Sequence, residues 1–518
     1  MRCFTLDPEG VVIVNFGGQY AHLISRRLRE LGVYTEVISC NEVLHNSKWH
    51  VVKNSKAIIL SGGPSSVYEN PDDIEVVKKI LSLNKPVLGI CYGHQLIAKA
   101  VGGHVTKGEG EYGRTTINIV DNDDLFLRWS RSEIVWMSHR DYVSKLPSKV
   151  KVLAISEKGY IAAFKLDSNP IYGVQFHPEV THTVKGKVLL DNFLKIANVP
   201  RKWMVSSIVD DIIRYLKKEV EPNAKVLAAV SGGVDSTVAA LLVKKIVGNR
   251  LIPVFVNHGL LRENEVNETL ANLEKIGLKP LIIDAENVFL EKLKGTRDCE
   301  ERRKIIGELF AKVFKEIAEK DPSIKYLVQG TTYPDVIESG CVVRADKIKS
   351  HHNVAGLPKW LSLRVIEPLK YLYKDEVRRI ARYLGVPEEI IKKHPFPGPG
   401  FAVRIIGEFT FEKLSIVRKA TRIVEEELRE NGLYDKVWQA FAVVGDDKWV
   451  GVKGDSRDVG YIVTIRIVVS EDAMTADWFR IPYDVLDRIA RRITSEIDNV
   501  SMVTYAVSCK PPSTIEPC

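Results

Sequence analysis

No apolar run in this sequence approaches the ~20 residues that a helix needs to cross a bilayer, so no spanning segment is expected. The opening stretch, Met1 to Gly10, lacks the basic-then-apolar layout of a secretory leader. Cysteine is sparse: seven are scattered along the chain, with no Cys-x-x-Cys pair. That pattern argues against a disulfide framework and against a zinc site, and for reduced thiols in the cytoplasm. Cys518 is the last residue, so it is not a prenylation box, and no role is expected for it. There is no internal repeat and no low-complexity tract. Neither charge dominates: 74 basic against 66 acidic residues leave a net charge of +8. That excess favours anionic ligands such as nucleotides and is too small to argue for DNA or RNA. Glutamine is scarce while charged residues are plentiful, a composition that suits a thermophile.

What is present is a 518-residue chain, too long for one core, with ordinary hydrophobic (45%) and charged (27%) content. The expected fold class is α/β: two parallel-sheet α/β domains followed by a small α+β domain. In the first, strand signals (Val11 to Val14, Thr35 to Ile38, Ala57 to Leu60) alternate with helical stretches such as Ala21 to Leu31. The boundaries are placed at 10–200, 201–400 and 401–518, with Asn198 to Lys202 as a linker and Pro395 to Gly400 as a break. The second domain reads as helix (Met204 to Lys218), strand (Lys225 to Val230), Gly-rich loop, helix (Thr237 to Val247) and strand (Leu251 to Val256). The tail reads as a strand (Ala402 to Ile406), a helix (Phe411 to Asn431), strands at Trp438 to Val444 and Tyr461 to Val469, a helix (Tyr483 to Ile497) and a last strand (Met502 to Ser508).

The first constellation is Cys91, His177 and Glu179. Cys91 stands where the strand Pro86 to Ile90 meets a helix beginning near Gln95, a turn that pushes a nucleophile outward and sets a helix N-terminus beside its thiolate. Glycines at 89 and 93 allow the tight turn. The Tyr92 backbone N–H is placed to meet a developing oxyanion, and the loop Ser61-Gly62-Gly63-Pro64 offers a second donor near Gly62. His177 and Glu179, two apart in an extended segment, share one side, so the carboxylate can fix the imidazole and the imidazole the thiolate. The plain alternative is a structural cysteine and a His-Pro turn. These residues resemble the class I glutamine amidotransferases over roughly 10–200. The resemblance implies that Cys91 attacks glutamine, ammonia leaves, and a γ-glutamyl thioester is hydrolysed. Gln95, Ser138 and His139 are candidates for the glutamine pocket.

The second constellation is Ser231-Gly232-Gly233-Val234-Asp235-Ser236-Thr237: unhindered backbone N–H groups, hydroxyls and a helix start, suited to a pyrophosphate. It is not a Walker A loop, because no Gly-Lys-Ser/Thr follows. Asp235 is the expected Mg²⁺ ligand, since Mg²⁺ prefers carboxylate and phosphate oxygens. The plain alternative is a tight Gly turn. The motif resembles the N-type ATP pyrophosphatases, whose members act on several substrates.

Three further stretches narrow the substrate. They are Glu301 to Gly307, the polar pair Gln329 to Ser339 and Ile348 to Asn353, and the tail Ser508 to Glu516. Each alone reads as solvated charge at helix ends. Together with His394 to Gly400, Gly451 to Arg457 and Met474 to Trp478 they resemble the GMP synthetase family along essentially the whole chain. The resemblance implies ATP and Mg²⁺, a dimerising C-terminal domain, and xanthosine monophosphate (XMP) held by Arg303, Asp455, Lys510, Ile515 and Glu516. Two departures stand out: Asn257 replaces a more usual Asp, and the chain ends Pro517-Cys518 where the family usually ends Trp-Glu. The expected reaction makes GMP from XMP, ATP and glutamine in a homodimer. Two rivals are another ATP pyrophosphatase, such as an RNA-thiolating enzyme, and a non-catalytic nucleotide sensor. The modest basic excess argues against the first, and the complete Cys-His-Glu set against the second.

Overall fold

The computed structural model describes residues 9–18, 20–167, 169–338, 363–453, 455–470 and 475–518. Ser339, the stretch Ile348 to Asn353, Gly454 and Met474, all singled out above, lie outside the described residues. The chain forms two compact units, one through Ile208 and one from Val209 to Cys518.

The first unit is built on nine strands: β1 (Val11–Asn15), β2 (Thr35–Ser39), β3 (Ala57–Leu60), β4 (Val87–Ile90), β5 (His104–Ile119), β6 (Ser132–Lys145), β7 (Val150–Ser156), β8 (Ile161–Leu166) and β9 (Ile171–Val174). Their order is β2-β1-β3-β4-β9-β8-β7-β5-β6. The run from β2 to β9 is parallel. Within it β1, β3, β4 and β9 are short apolar runs buried on both faces. Because successive side chains point to opposite faces, Val11 and Ile13 enter one core while Val12 and Val14 enter the other. The β9-to-β6 half is antiparallel, which the alternating strand and helix signals did not announce. Its signature is alternation: in β6, Val135, Met137, His139, Asp141 and Val143 are buried and Ile134, Ser138 and Arg140 are exposed.

The second unit holds a five-stranded parallel sheet of β10 (Lys225–Ala229), β11 (Leu251–Asn257), β12 (Leu281–Asp284), β13 (Ile324–Val328) and β14 (Arg364–Ile366), in the order β12-β11-β10-β13-β14. The winding reverses between β10 and β13, and ligands of open α/β sheets bind outside the strand ends at such a reversal. A further four-stranded sheet contains β15 (Gln439–Lys453), β16 (Ser456–Val469), β17 (Asp477–Trp478) and β18 (Val500–Tyr505). The helices Phe411–Glu430 and Tyr483–Glu496 belong to the same unit. One apolar core runs from Leu227 and Val254 through Ile306 and Phe314 to Val417, Ile465 and Ile489. Residues 201–400 and 401–518 therefore share a core.

Two local expectations are corrected. The strand read at Ala402 to Ile406 is a 3-10 turn, Gly400–Arg404. Arg302, fully buried, explains it: the guanidinium donates to the carbonyls of Ala402 (3.1 Å), Ile405 (2.5 Å) and Gly407, which a sheet partner would otherwise take. The cysteines are not all reduced: Cys299 and Cys518 form a disulfide, with Cα atoms 5.9 Å apart across 219 residues of sequence. No local spacing motif announces a pair joined only by the tertiary fold. Among the described residues Cys40, Cys91 and Cys509 are free.

Candidate active sites

Cys91 occupies the junction of β4 with the helix Tyr92–Ala100 at φ 53°, ψ −103°, a backbone state that L-residues rarely adopt. The turn closes because Gly89 and Gly93 lack side chains. A Cβ at Gly93 would lie 2.4 Å from the Leu60 carbonyl oxygen, and one at Gly89 would lie 2.5 Å from that of Gly93. The Cys91 N–H donates to the Val174 carbonyl on β9 at 2.8 Å, which ties the elbow to the strand leading to His177. The imidazole Nδ1 of His177 meets Glu179 Oε1 at 2.7 Å, with both side chains buried. Burial disfavours the charged imidazole, but Glu179 and Cys91 together outweigh it and hold His177 well above its ordinary pKa.

Gly62 packs against this pair: a Cβ there would sit 3.4 Å from His177 Cε1 and 3.7 Å from Cys91 Cβ. The Ser61 carbonyl accepts from the Gly93 N–H at 3.1 Å, so the N–H of the same peptide, that of Gly62, points the opposite way. Tyr92 offers only its backbone N–H. Its ring packs edge-on against Phe16, and its hydroxyl donates to Asp73 at 3.1 Å.

Gln95 and His139 are buried and converge on one backbone oxygen, that of Asp141, at 2.7 and 2.9 Å. His139 Nε2 also meets Glu111 at 3.1 Å, and Gln95 donates to Gln175 at 3.2 Å. Ser138 is exposed and reaches the site through its carbonyl, 3.6 Å from Cys91 Sγ. Glu111 and Asp141 escaped the sequence reading, because β-sheet register rather than spacing assembles them.

In the second unit the Gly-rich loop leaves β10 and enters the helix Val234–Val247, with Gly233 at the cap. Gly232 has φ 78°, and a Cβ there would lie 2.4 Å from Thr269 Cγ2. Ser236 Oγ accepts from the Ser231 N–H at 3.1 Å, and Thr237 Oγ1 is buried without a partner. From β13, Gly330 abuts the loop: its Cβ would come within 2.8 Å of the Ser236 nitrogen. Both strands at the sheet reversal thus deliver backbone to one place. Asp235 Oδ2 pairs with Lys374, while its Oδ1 is buried and unpartnered. Lys374 also lies 4.0 Å from Asp335. Burial would lower its pKa, but the two carboxylates raise it above the ordinary value. A single lysine at a helix start carries no signal in sequence, so Lys374 was missed. At the end of β11, Asn257 donates to Asp284 at 3.1 Å and Glu286 at 3.4 Å, so two carboxylates flank the position that departs from the family.

The remaining candidates are only partly brought together. Arg303, on the helix Cys299–Glu319, donates to the Cys518 backbone oxygen at 2.6 Å, and its Nε is buried without a partner. Ile515 is buried with Phe441, Val443, Val468 and Ala476. Glu516 receives Arg404 through two bonds (2.9 and 3.1 Å) and Gln439 at 2.6 Å. Lys510 pairs with Ala476 through both backbone bonds. Asp455 stands apart, at φ 62° in the tip of the β15–β16 hairpin, whereas Gln439 begins that hairpin. At about 3.3 Å per strand residue the two ends lie on the order of 40 Å apart.

Comparison with known proteins matches the chain to three family models: glutamine amidotransferase class-I over 12–197, NAD synthase over 204–320 and 364–398, and GMP synthase C terminal domain over 426–517. A curated protein of Pyrobaculum aerophilum, named GMP synthase (glutamine-hydrolyzing), is 60% identical over 98% of this chain and 100% of its own length. Proteins of the same name from Aeropyrum pernix and Aquifex aeolicus are 50% and 49% identical, each over 99% of this chain and 99% and 100% of their own lengths. With identity of this order over nearly its full length, the chain belongs to the glutamine-hydrolysing GMP synthase family.

Proposed function

We propose that this chain makes GMP from XMP, ATP and glutamine, with Cys91, His177 and Glu179 releasing ammonia and the Ser231–Thr237 loop activating XMP. The observation that carries the reading is the presence, in one chain, of a strained Cys91 elbow paired to a raised-pKa His177 and of a Gly-rich backbone cradle at a sheet reversal.

At the first site the Cys91 thiolate adds to the amide carbon of glutamine. The N–H groups of Gly62 and Tyr92 receive the oxyanion, and His177 gives its proton to the departing ammonia. Water, deprotonated by His177, then cleaves the γ-glutamyl thioester to glutamate. Glu179 keeps the imidazole oriented throughout. Gln95, Ser138 and His139 shape the glutamine pocket.

At the second site the C2 oxygen of XMP attacks the α-phosphorus of ATP, and diphosphate leaves into the loop. Ammonia displaces AMP from C2 and gives GMP. Ser231, Gly232, Gly233, Val234, Ser236 and Thr237 hold the phosphates. The unpartnered Oδ1 of Asp235 suits Mg²⁺, which would neutralise phosphate charge there. Arg303 and Lys510 meet the XMP anion, and Ile515 and Glu516 border its pocket. Asp455 is too distant along its hairpin to join the same pocket, and it reaches one only from a second chain. Exposed Trp449, Val450, Val452 and Val459 on that hairpin support a homodimer through the C-terminal region. No described helix is long and apolar enough to cross a membrane. Its place in nucleotide synthesis makes the cytoplasm the proposed compartment.

The test is ATP-dependent GMP formation from XMP with glutamine or with ammonium. Cys91→Ala is expected to lose the glutamine reaction and keep the ammonium one; loss of both in a stable protein would sink the division of labour. Asp235→Ala is expected to end synthesis with either donor, and retained synthesis would remove it from the Mg²⁺ role.

A further inference from the structure

The C-terminal tail is anchored at points that do not involve its last two residues. Lys510 is bridged to Ala476, Arg466 donates to the carbonyls of Ser508 (2.5 Å) and Thr514 (3.2 Å), and Ile515 is buried. Glu516 closes this stretch through its two bonds with Arg404, which is fully buried. Beyond it lie exposed Pro517 and half-buried Cys518.

Cys518 is bonded to Cys299, the first residue of the helix that carries Arg303. Arg303 follows Cys299 by four residues and so shares its helix face. The oxygen that Arg303 contacts at 2.6 Å is the backbone oxygen of Cys518, so the disulfide holds that oxygen on the guanidinium.

We propose that the Cys299–Cys518 disulfide is a redox-controlled cap on the XMP site. While it is intact, the Cys518 backbone oxygen occupies Arg303 and competes with XMP; when it is reduced, the cap opens. The inference rests on the assignment of Arg303 to XMP. A backbone oxygen and a phosphate oxygen compete for the same guanidinium N–H groups. The tether converts that competition into an intramolecular one at high effective concentration. Because Glu516 and Ile515 are anchored independently, cleavage frees Pro517 and Cys518 without loosening Lys510 to Glu516.

The opening step is a thiol–disulfide exchange. A thiolate of a dithiol reductant attacks one sulfur, the Cys299–Cys518 bond breaks, and a mixed disulfide forms. The second thiolate of the reductant displaces the protein sulfur. The dithiol leaves as a disulfide, oxidised by two electrons, and the two cysteines take up two protons. Both cysteines are half-buried and so within reach of solvent.

The test uses the full-length protein with ammonium as nitrogen donor, so that the oxidation state of Cys91 plays no part. Thiol counting in denaturant verifies the bond before dithiothreitol and its loss afterwards. A cap closed about nine-tenths of the time raises the apparent KM for XMP about tenfold in the oxidised protein, with kcat unchanged. Cys299→Ser and Cys518→Ser should each show the reduced-state KM with and without the dithiol. Equal KM values in the two states of the wild type, or a KM that rises on reduction, overturn the proposal. Arg303→Ala in the reduced protein separates the two layers. An unchanged KM for XMP removes the assignment beneath the cap, whereas a raised KM with no redox effect removes the cap alone.

Discussion

A thiol is a weak nucleophile until it loses its proton, and Cys91 is a free thiol set beside the His177–Glu179 pair. The residue precedes the first turn of a helix, where backbone N–H groups carry partial positive charge, and it faces an imidazole that Glu179 keeps protonated. Protonated His177 stabilises the fold fully below its unfolded pKa of about 6.5, and that contribution is lost as pH rises through the raised folded value. Glu179→Gln removes the carboxylate and lowers the folded value. The alkaline limb of the glutaminase pH–rate profile is therefore expected to move to lower pH, with ammonium-dependent synthesis unaffected. An unmoved limb would show that the His177 proton does not set it. These residues were legible in the sequence because each is announced by near neighbours: Gly89 and Gly93 around Cys91, and Glu179 two residues from His177. Lys374, Glu111 and Asp141 were not, because each reaches its site through strand register or a helix start distant in sequence.

At the scale of elements, the elbow depends on close backbone approach. A Cβ at Gly93 would lie 2.4 Å from the Leu60 oxygen and 2.8 Å from the Leu60 Cβ, both in β3, so neither neighbour can yield cheaply. Gly93→Ala is therefore expected to cost roughly 1–3 kcal/mol as an overpacked core does. It should also abolish glutaminase activity, read by chemical denaturation and glutamate release. Wild-type stability and activity together would show that the strand and helix can separate there. The parallel strands, helices and Gly-rich loop were readable from periodicity and glycine placement. The 3-10 turn at Gly400–Arg404 was not: Ala-Val-Arg-Ile alternates like a strand, and only Arg302, about a hundred residues away, claims its carbonyls.

For the whole molecule, acid is the expected weakness. Burial holds His22, His258 and His394 down at about 4, so they stay neutral in the fold and take up protons on unfolding. Stability from these groups is present above their unfolded pKa of about 6.5 and is lost as pH falls from there towards 4. The melting temperature is expected to fall steadily over that interval, and a flat profile between pH 7 and pH 4 would rule out these histidines as the cause.

The sequence by itself pointed to the family and marked the candidates for nucleophile, base and phosphate loop. Those features are local, since a tight turn, a capping glycine or a two-residue spacing leaves its mark on adjacent positions. Only the tertiary structure decided the pairings between distant residues. Glu516 turned out to be held by Arg404, and Asp455 stood far along its hairpin from the tail. Cys518, which no local pattern marked, was joined to Cys299 beside Arg303. Such contacts depend on which surfaces the packed core brings within a few ångströms, and spacing along the chain carries no record of that.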